Sequence, residues 1–224
     1  MSESWEFADD SELTPEPGFP WPPPEDGPIL TAFAATWKGA TLDPARFFAG
    51  TPREQGTGAA LLYYLAIGFL VAGATLFWDS IPFLAGAGMA GDSWAAELGY
   101  GTISPLVRFL LAPAFLMAGL FLSGGVVHLL LLIFGGANHG FGTTLRVFCY
   151  GNSPTIFGVV PIVGTLIGGV WSLVVSIIGL REAHETEGWK AALAVLIPVV
   201  GSILLFAFLA FAAFIAAGDL LPAG

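Results

Sequence analysis

The chain has 224 residues, 55% of them hydrophobic and 11% charged, and a formal net charge of −10. So few charges cannot clothe a soluble interior of this apolar content, since soluble domains carry about 25% charged residues. Seven Lys and Arg in the whole chain are too few to meet nucleic-acid phosphates, and the single Cys149 excludes an intrachain disulfide.

Eight of the 17 acidic residues precede Gly27, where no Lys or Arg occurs, and residues 1–30 hold seven prolines. Residues 1–28 are therefore expected to form a disordered, acidic, Pro-rich cytoplasmic tail. Its start reads Glu3, Glu6, Asp9, Asp10 and Glu12, without the basic stretch of a secretory signal. A solvated tail explains this composition. A linear docking motif explains in addition why Trp5, Phe7, Phe19 and Trp21 are there, since such side chains are costly to leave in water.

Residues 29–56 change character. Ile29, Phe33 and Trp37 recur at helical spacing, and Lys38, Arg46 and Arg53 are interspersed. Asp43-Pro44 opens a second short helix, with Asp43 as N-cap and Pro44 at the first helical position. Two amphipathic helices lying in the interface fit this segment, as does a helix pair packed on the membrane domain.

From there the chain is dominated by the apolar runs Ala59–Trp78, Phe109–Phe134, Ser153–Leu180 and Ala191–Ala217. A hydrocarbon core about 30 Å thick needs roughly 20 residues at helical rise, and each run is long enough. Read as one helix, Ser153–Leu180 would be about 42 Å long and would export Arg181 and Lys190. Breaking it at Pro161-Ile162-Val163-Gly164 gives five spans, at about 58–79, 104–134, 143–161, 164–181 and 190–217. Lys38, Arg46, Arg53, Arg146, Arg181 and Lys190 then share one side, which the distribution of cations makes cytoplasmic. The expected fold is all-α: a polytopic membrane helix bundle over residues 57–218 with five transmembrane helices, its N-terminus cytoplasmic and its C-terminus outside.

Polar groups within the spans are the candidate functional residues, because each costs free energy unless paired or wetted. Arg108 can extend to the headgroups from the outer end of the second span. His128 lies about 9 Å below the other end of that span, next to a small-residue face at Gly119 and Ser123. His128, His139 and His184 approach one side together with Cys149, Glu185 and Glu187, but without the spacing of a metal site, so no metal and no cofactor are expected. In Tyr150-Gly151-Asn152-Ser153-Pro154, Gly151 and Pro154 weaken the helix while Asn152 and Ser153 can satisfy the freed carbonyls, which describes a kink. Gly164, Gly168 and Gly169, followed by Ser172 and Ser176, mark the face expected to pack most tightly. No hydrolase, metalloprotease, nucleotide or dinucleotide signature occurs, and no catalytic residue is assigned.

The ordered pattern of these residues resembles the Yip1 domain family in its prokaryotic form. Trp37, Pro44 and Phe47-Phe48 stand just before the first span, as in that family. Arg146, Tyr150-Gly151, Pro154, Pro161 with Gly164, and His184 follow in the family's order after a Gly-rich turn at Gly135–Gly140. The resemblance runs over about residues 35–217 and implies a five-helix membrane domain with a cytoplasmic N-terminus. Eukaryotic members are linked to small GTPases, vesicle traffic and membrane shaping. Their Asp-Leu-Tyr-Gly-Pro motif has no counterpart here, so GTPase binding is not carried over. The expectation is a non-catalytic scaffold, membrane-organising or trafficking-related protein in contact with the lipid bilayer. Its tail would meet a cytoplasmic protein partner, nucleic acid would not bind, and self-association into a homo-oligomer stays open. A small-solute or ion transporter built around His128, Tyr150, Asn152 and Ser153 is the alternative.

Overall fold

The structure, a computed structural model, describes residues 19–24, 26–52, 57–84 and 104–219. The expected tail up to Gly18, the Arg53–Gly56 link and the loop at residues 85–103 lie outside the described residues. Helix α1 covers Ile29–Leu42, α2 Pro44–Ala49, α3 Thr57–Leu84, α4 Pro105–Ile133 and α5 Phe141–Gly151. A 3-10 segment, Ser153–Val159, follows, then α6, Val163–His184, and α7, Gly188–Asp219. Among the described residues no strand occurs, and the fold is the expected all-helical bundle.

Local chemistry sets the element ends. Pro44 sits at the first position of α2, and the proline's missing N–H costs nothing there. The Ser104 hydroxyl accepts from the Val107 N–H and starts α4, with Pro105 next. At the end of α6, Glu185 adopts a left-handed conformation with φ 51°, and its N–H reaches the Arg181 and Glu182 carbonyls.

Among the described residues, helices α3, α4, α6 and α7 are long and apolar enough to cross a membrane, four rather than the five expected. The missing one is the third. The stretch expected as a helix over 143–161 is α helix only to Gly151 and then tightens into the 3-10 segment. Together the two pieces rise about 30 Å, the thickness of a hydrocarbon core. They run alongside α3 in the same direction. Gly142 lies against Thr57, the Tyr150 and Tyr63 rings are 5.4 Å apart, and the Trp78 indole donates to the Val159 carbonyl at 3.0 Å. Among the described residues the bundle thus has four membrane-length helices and one shorter, broken pass laid alongside α3.

The neighbours of that broken pass run against it. Helix α4 is antiparallel to α3, with Arg108 and Asp79 paired at 2.9 Å at one end and the Tyr64 hydroxyl donating to the Leu116 carbonyl further along. Helix α6 returns along the broken pass at close range. A methyl group on Gly164 would overlap the Phe157 carbonyl, and one on Gly168 would come within 2.7 Å of the Pro154 oxygen. Gly169, expected on the same face, has nothing within 4 Å. Helix α7 joins the bundle through its first turns only: from Val200 to Ile215 every residue is exposed.

Helices α1 and α2 form a hairpin against α6 and the 3-10 segment, so packing on the bundle is the arrangement the contacts describe. The Trp171 indole donates to the Thr41 carbonyl at 2.7 Å, which sets the hairpin tip about 20 Å along α6 from His184. The expected boundary of the disordered tail needs correction. Trp21 is 9% exposed, its indole donates to the Ala59 carbonyl at 2.7 Å, and Phe19 stacks between Phe47 and Tyr150. The aromatic rings gain more from the bundle core than from water, so packed chain begins by Phe19 rather than at Ile29.

Candidate functional site

Several of the predicted polar residues are gathered into two networks, both inside the half of the bundle that holds the α1–α2 hairpin, while Arg108 pairs with Asp79 away from them. The first surrounds the break after α5. The Tyr63 hydroxyl and Ser153 Oγ are 2.8 Å apart, and Ser153 donates to the Tyr150 carbonyl at 2.6 Å. Asn152 donates through Nδ2 to the Phe148 carbonyl at 2.7 Å, and the Trp37 indole donates to the Ser153 carbonyl at 3.1 Å. The carbonyls exposed by the break are therefore met by the side chains beside it, as irregular backbone in an apolar setting demands. Tyr150, Gly151 and Pro154 belong to this network as backbone and wall. Pro161 lies in the turn into α6, and Gly164 in its first turn.

Around the same point the aromatic rings form a continuous cluster. Phe47 meets Phe48 at 5.2 Å and Tyr150 at 5.5 Å, while Phe33 meets Tyr63 at 5.1 Å. Phe48 is 2% exposed and fills the space over Gly179 beside Val147. Pro44 is buried at the start of α2. Trp37, Pro44, Phe47 and Phe48 thus fasten the hairpin onto α5, α6 and the 3-10 segment.

The second network links α4, α5 and α6 near the end where α6 turns into α7. Thr144, fully buried, holds His128 Nδ1 at 2.8 Å and His184 Nε2 at 2.9 Å through one hydroxyl. The other nitrogen of His184 accepts from the His139 backbone N–H at 3.2 Å. That bond assigns the tautomer: His184 carries its proton on Nε2 and donates to Thr144, whose own proton goes to His128. Asn138 ties the Gly-rich turn to the same place, donating to the His184 and Glu185 carbonyls at 3.0 and 3.2 Å. Sequence reasoning grouped the three histidines but did not link them through Thr144, whose hydroxyl joins two of them. Among the described residues no group of three or more His, Cys, Asp or Glu side chains is placed to hold a metal ion. Cys149 is a buried free thiol.

Arg146 lies one turn on from Thr143, to whose hydroxyl its guanidinium donates at 3.1 Å, and is only 8% exposed. With Phe48, Thr51, Thr143, Glu182 and Glu185 it lines a cavity of about 150 Å³. His128, Tyr150 and Ser153 do not line this cavity.

A family model, the Yip1 domain, matches residues 38–211. Neither a curated protein nor a solved structure matches the chain.

Proposed function

The chain belongs to the Yip1 domain family and is a multi-pass membrane protein, and from that footing we propose that it is a non-catalytic scaffold that organises the membrane around it and recruits a soluble partner. In this reading the N-terminus lies in the cytoplasm and the C-terminus outside, a placement supported by the clustering of cations near one end of the spans. The bundle holds the α1–α2 hairpin and presents the acidic, aromatic tail at the cytoplasmic face.

One observation carries this reading: the polar groups of the two networks are engaged with one another. His128, Thr144 and His184 close on themselves, as do Tyr63, Ser153 and the Tyr150 carbonyl. A transporter needs such groups turned to a wet path where they exchange partners with the solute. Here they join helices.

The test is affinity capture from a mild detergent with the full chain and with a chain lacking residues 1–18. The scaffold reading expects a partner that is lost with the tail, and an identical set of co-purifying proteins would refute it. The transport alternative makes the opposite forecast, solute flux in reconstituted vesicles that His128→Leu abolishes.

A further inference from the structure

Charged side chains stand where the bundle should present an apolar belt. The Arg108–Asp79 pair and the His128–Thr144–His184 network mark two levels, about 30 Å apart along α4, which is the depth of one hydrocarbon core. The Trp78 bond to the Val159 carbonyl brings the start of α6 near the first level, and His184 ends that helix at the second. On α4 the belt between them is complete: Leu110, Phe115, Leu122 and Leu129 are exposed, and no charged residue occurs from Phe109 to Ile133. Beside α6 the belt is interrupted. The Trp171 bond to the Thr41 carbonyl holds the hairpin tip about 20 Å from the His184 level and only about 12 Å from Val163. Lys38, Asp43 and Arg46, all exposed, lie within about one helical turn of that tip.

Charges that deep in hydrocarbon are costly even when paired, and two devices relieve the cost: side chains that extend to the surface, and a bilayer that thins to bring water and headgroups to them. A lysine stem cannot cover that distance and an aspartate has hardly any reach, which leaves thinning. We propose that the flank of α6 beside the hairpin lets membrane phospholipids pass between the two leaflets. Headgroups descend from the His184 level to the hairpin tip, where Lys38 meets the phosphate and Asp43 the ammonium of a zwitterionic lipid. From there about 12 Å of hydrocarbon remains to be crossed instead of about 30 Å. The apolar groove of about 540 Å³ at the tip, lined by Leu42, Leu166, Ile167 and Val170, takes the acyl chains over that last stretch. The passage runs outside the bundle, so both buried networks keep their partners. It goes beyond the scaffold reading and does not depend on the tail.

The full chain, reconstituted into phosphatidylcholine vesicles with a trace of acyl-labelled fluorescent phosphatidylcholine, is bleached from outside with dithionite. Empty vesicles should lose only the outer-leaflet signal, and vesicles holding the protein nearly all of it. Lys38→Met combined with Asp43→Asn removes two exposed charges without breaking a cap, since the Asp43 side chain makes no cap bond. Exchange should slow about tenfold in this variant, the ratio that about 1.4 kcal/mol gives. A second measurement does not depend on exchange. Lys38→Cys and Phe115→Cys, the latter about 20 Å from His128 on α4, are treated in the same vesicles with a membrane-impermeant maleimide. The native Cys149 is buried and does not compete. Labelling is expected at position 38 and not at 115. Bleaching confined to the outer leaflet, an undiminished rate in the double variant, or an unlabelled position 38 would each overturn the assignment. So would equal labelling at 115, which would put the hairpin outside the hydrocarbon altogether.

Discussion

Replacing Thr144 with Val tests whether the histidine network holds the bundle together. The two side chains have nearly the same shape, so packing is preserved and only the hydroxyl is lost. That hydroxyl accepts from His184 Nε2 and donates to His128 Nδ1. The consequences for the two rings differ. His184 is 0% exposed and its other nitrogen is already held by the His139 N–H, so its Nε2–H is left without a partner. Leaving a buried donor unmet costs about 1–3 kcal/mol. His128 is half-buried and can find water or a headgroup, so its loss adds little. Hydrogen bonds between membrane helices average only about 0.6 kcal/mol, because the separated helices find other partners. The desolvation of His184 therefore decides the outcome, and a loss of about 1.5–3 kcal/mol is expected. Reversible unfolding in mixed micelles, followed by tryptophan fluorescence, measures it. Thr144→Ser is the control, since it keeps the hydroxyl and should cost less than about 1 kcal/mol for one methyl group. If Val is as stable as Thr, or Ser is as damaging as Val, the hydroxyl is not what joins α4, α5 and α6.

The other expectations use the same assay. Gly164→Ala should prevent folding or cost more than about 3 kcal/mol, because its methyl meets the Phe157 backbone, whereas Gly169→Ala, in open space, should be neutral or gain up to about 1 kcal/mol from helix propensity. Trp21→Ala should cost about 3 kcal/mol, the loss of a buried aromatic and its bond to the Ala59 carbonyl, while removal of residues 1–18 should leave unfolding unchanged. Asp79→Asn should cost less than about 1 kcal/mol and lose even that in high salt, because both partners of its ion pair are about one-third exposed.

The apolar runs made the four long helices legible, and Asp43-Pro44 marked the junction where α1 ends and α2 begins. The break before α6 was legible in Pro161–Gly164, and Ile162 does take a positive φ of 62° there. The arrangements that sequence could not supply are those in which a residue's partner is remote in the chain. Threonine in an apolar helix normally bonds back to its own turn, as Thr36 and Thr75 do here at 2.8 and 3.0 Å, so its residue type alone did not mark Thr144 as a link between histidines. The available signal was the pair of histidines on either side of it. Phe19 and Trp21 posed a similar ambiguity. Aromatic residues among prolines announce that something must cover them, but whether that is another protein or this bundle depends on contacts 38 positions away.

The broken third pass is where local propensity and tertiary packing meet. Gly151 and Pro154 make a regular helix costly, and an irregular backbone between apolar helices is stable only if its carbonyls find donors. Both ends of the 3-10 segment receive one from a tryptophan: Trp37, on the hairpin, donates to Ser153, and Trp78, on α3, donates to Val159. The tighter turn also draws Pro154 and Phe157 against Gly168 and Gly164, where a side chain on α6 would stand in the way. The hairpin is thereby coupled to the break: displacing α1 removes the donor for the Ser153 carbonyl as well as the ring that packs 6.0 Å from Phe157. The hairpin therefore bears on the part of the bundle whose backbone depends most on its neighbours, and the two should loosen together when α1 is displaced.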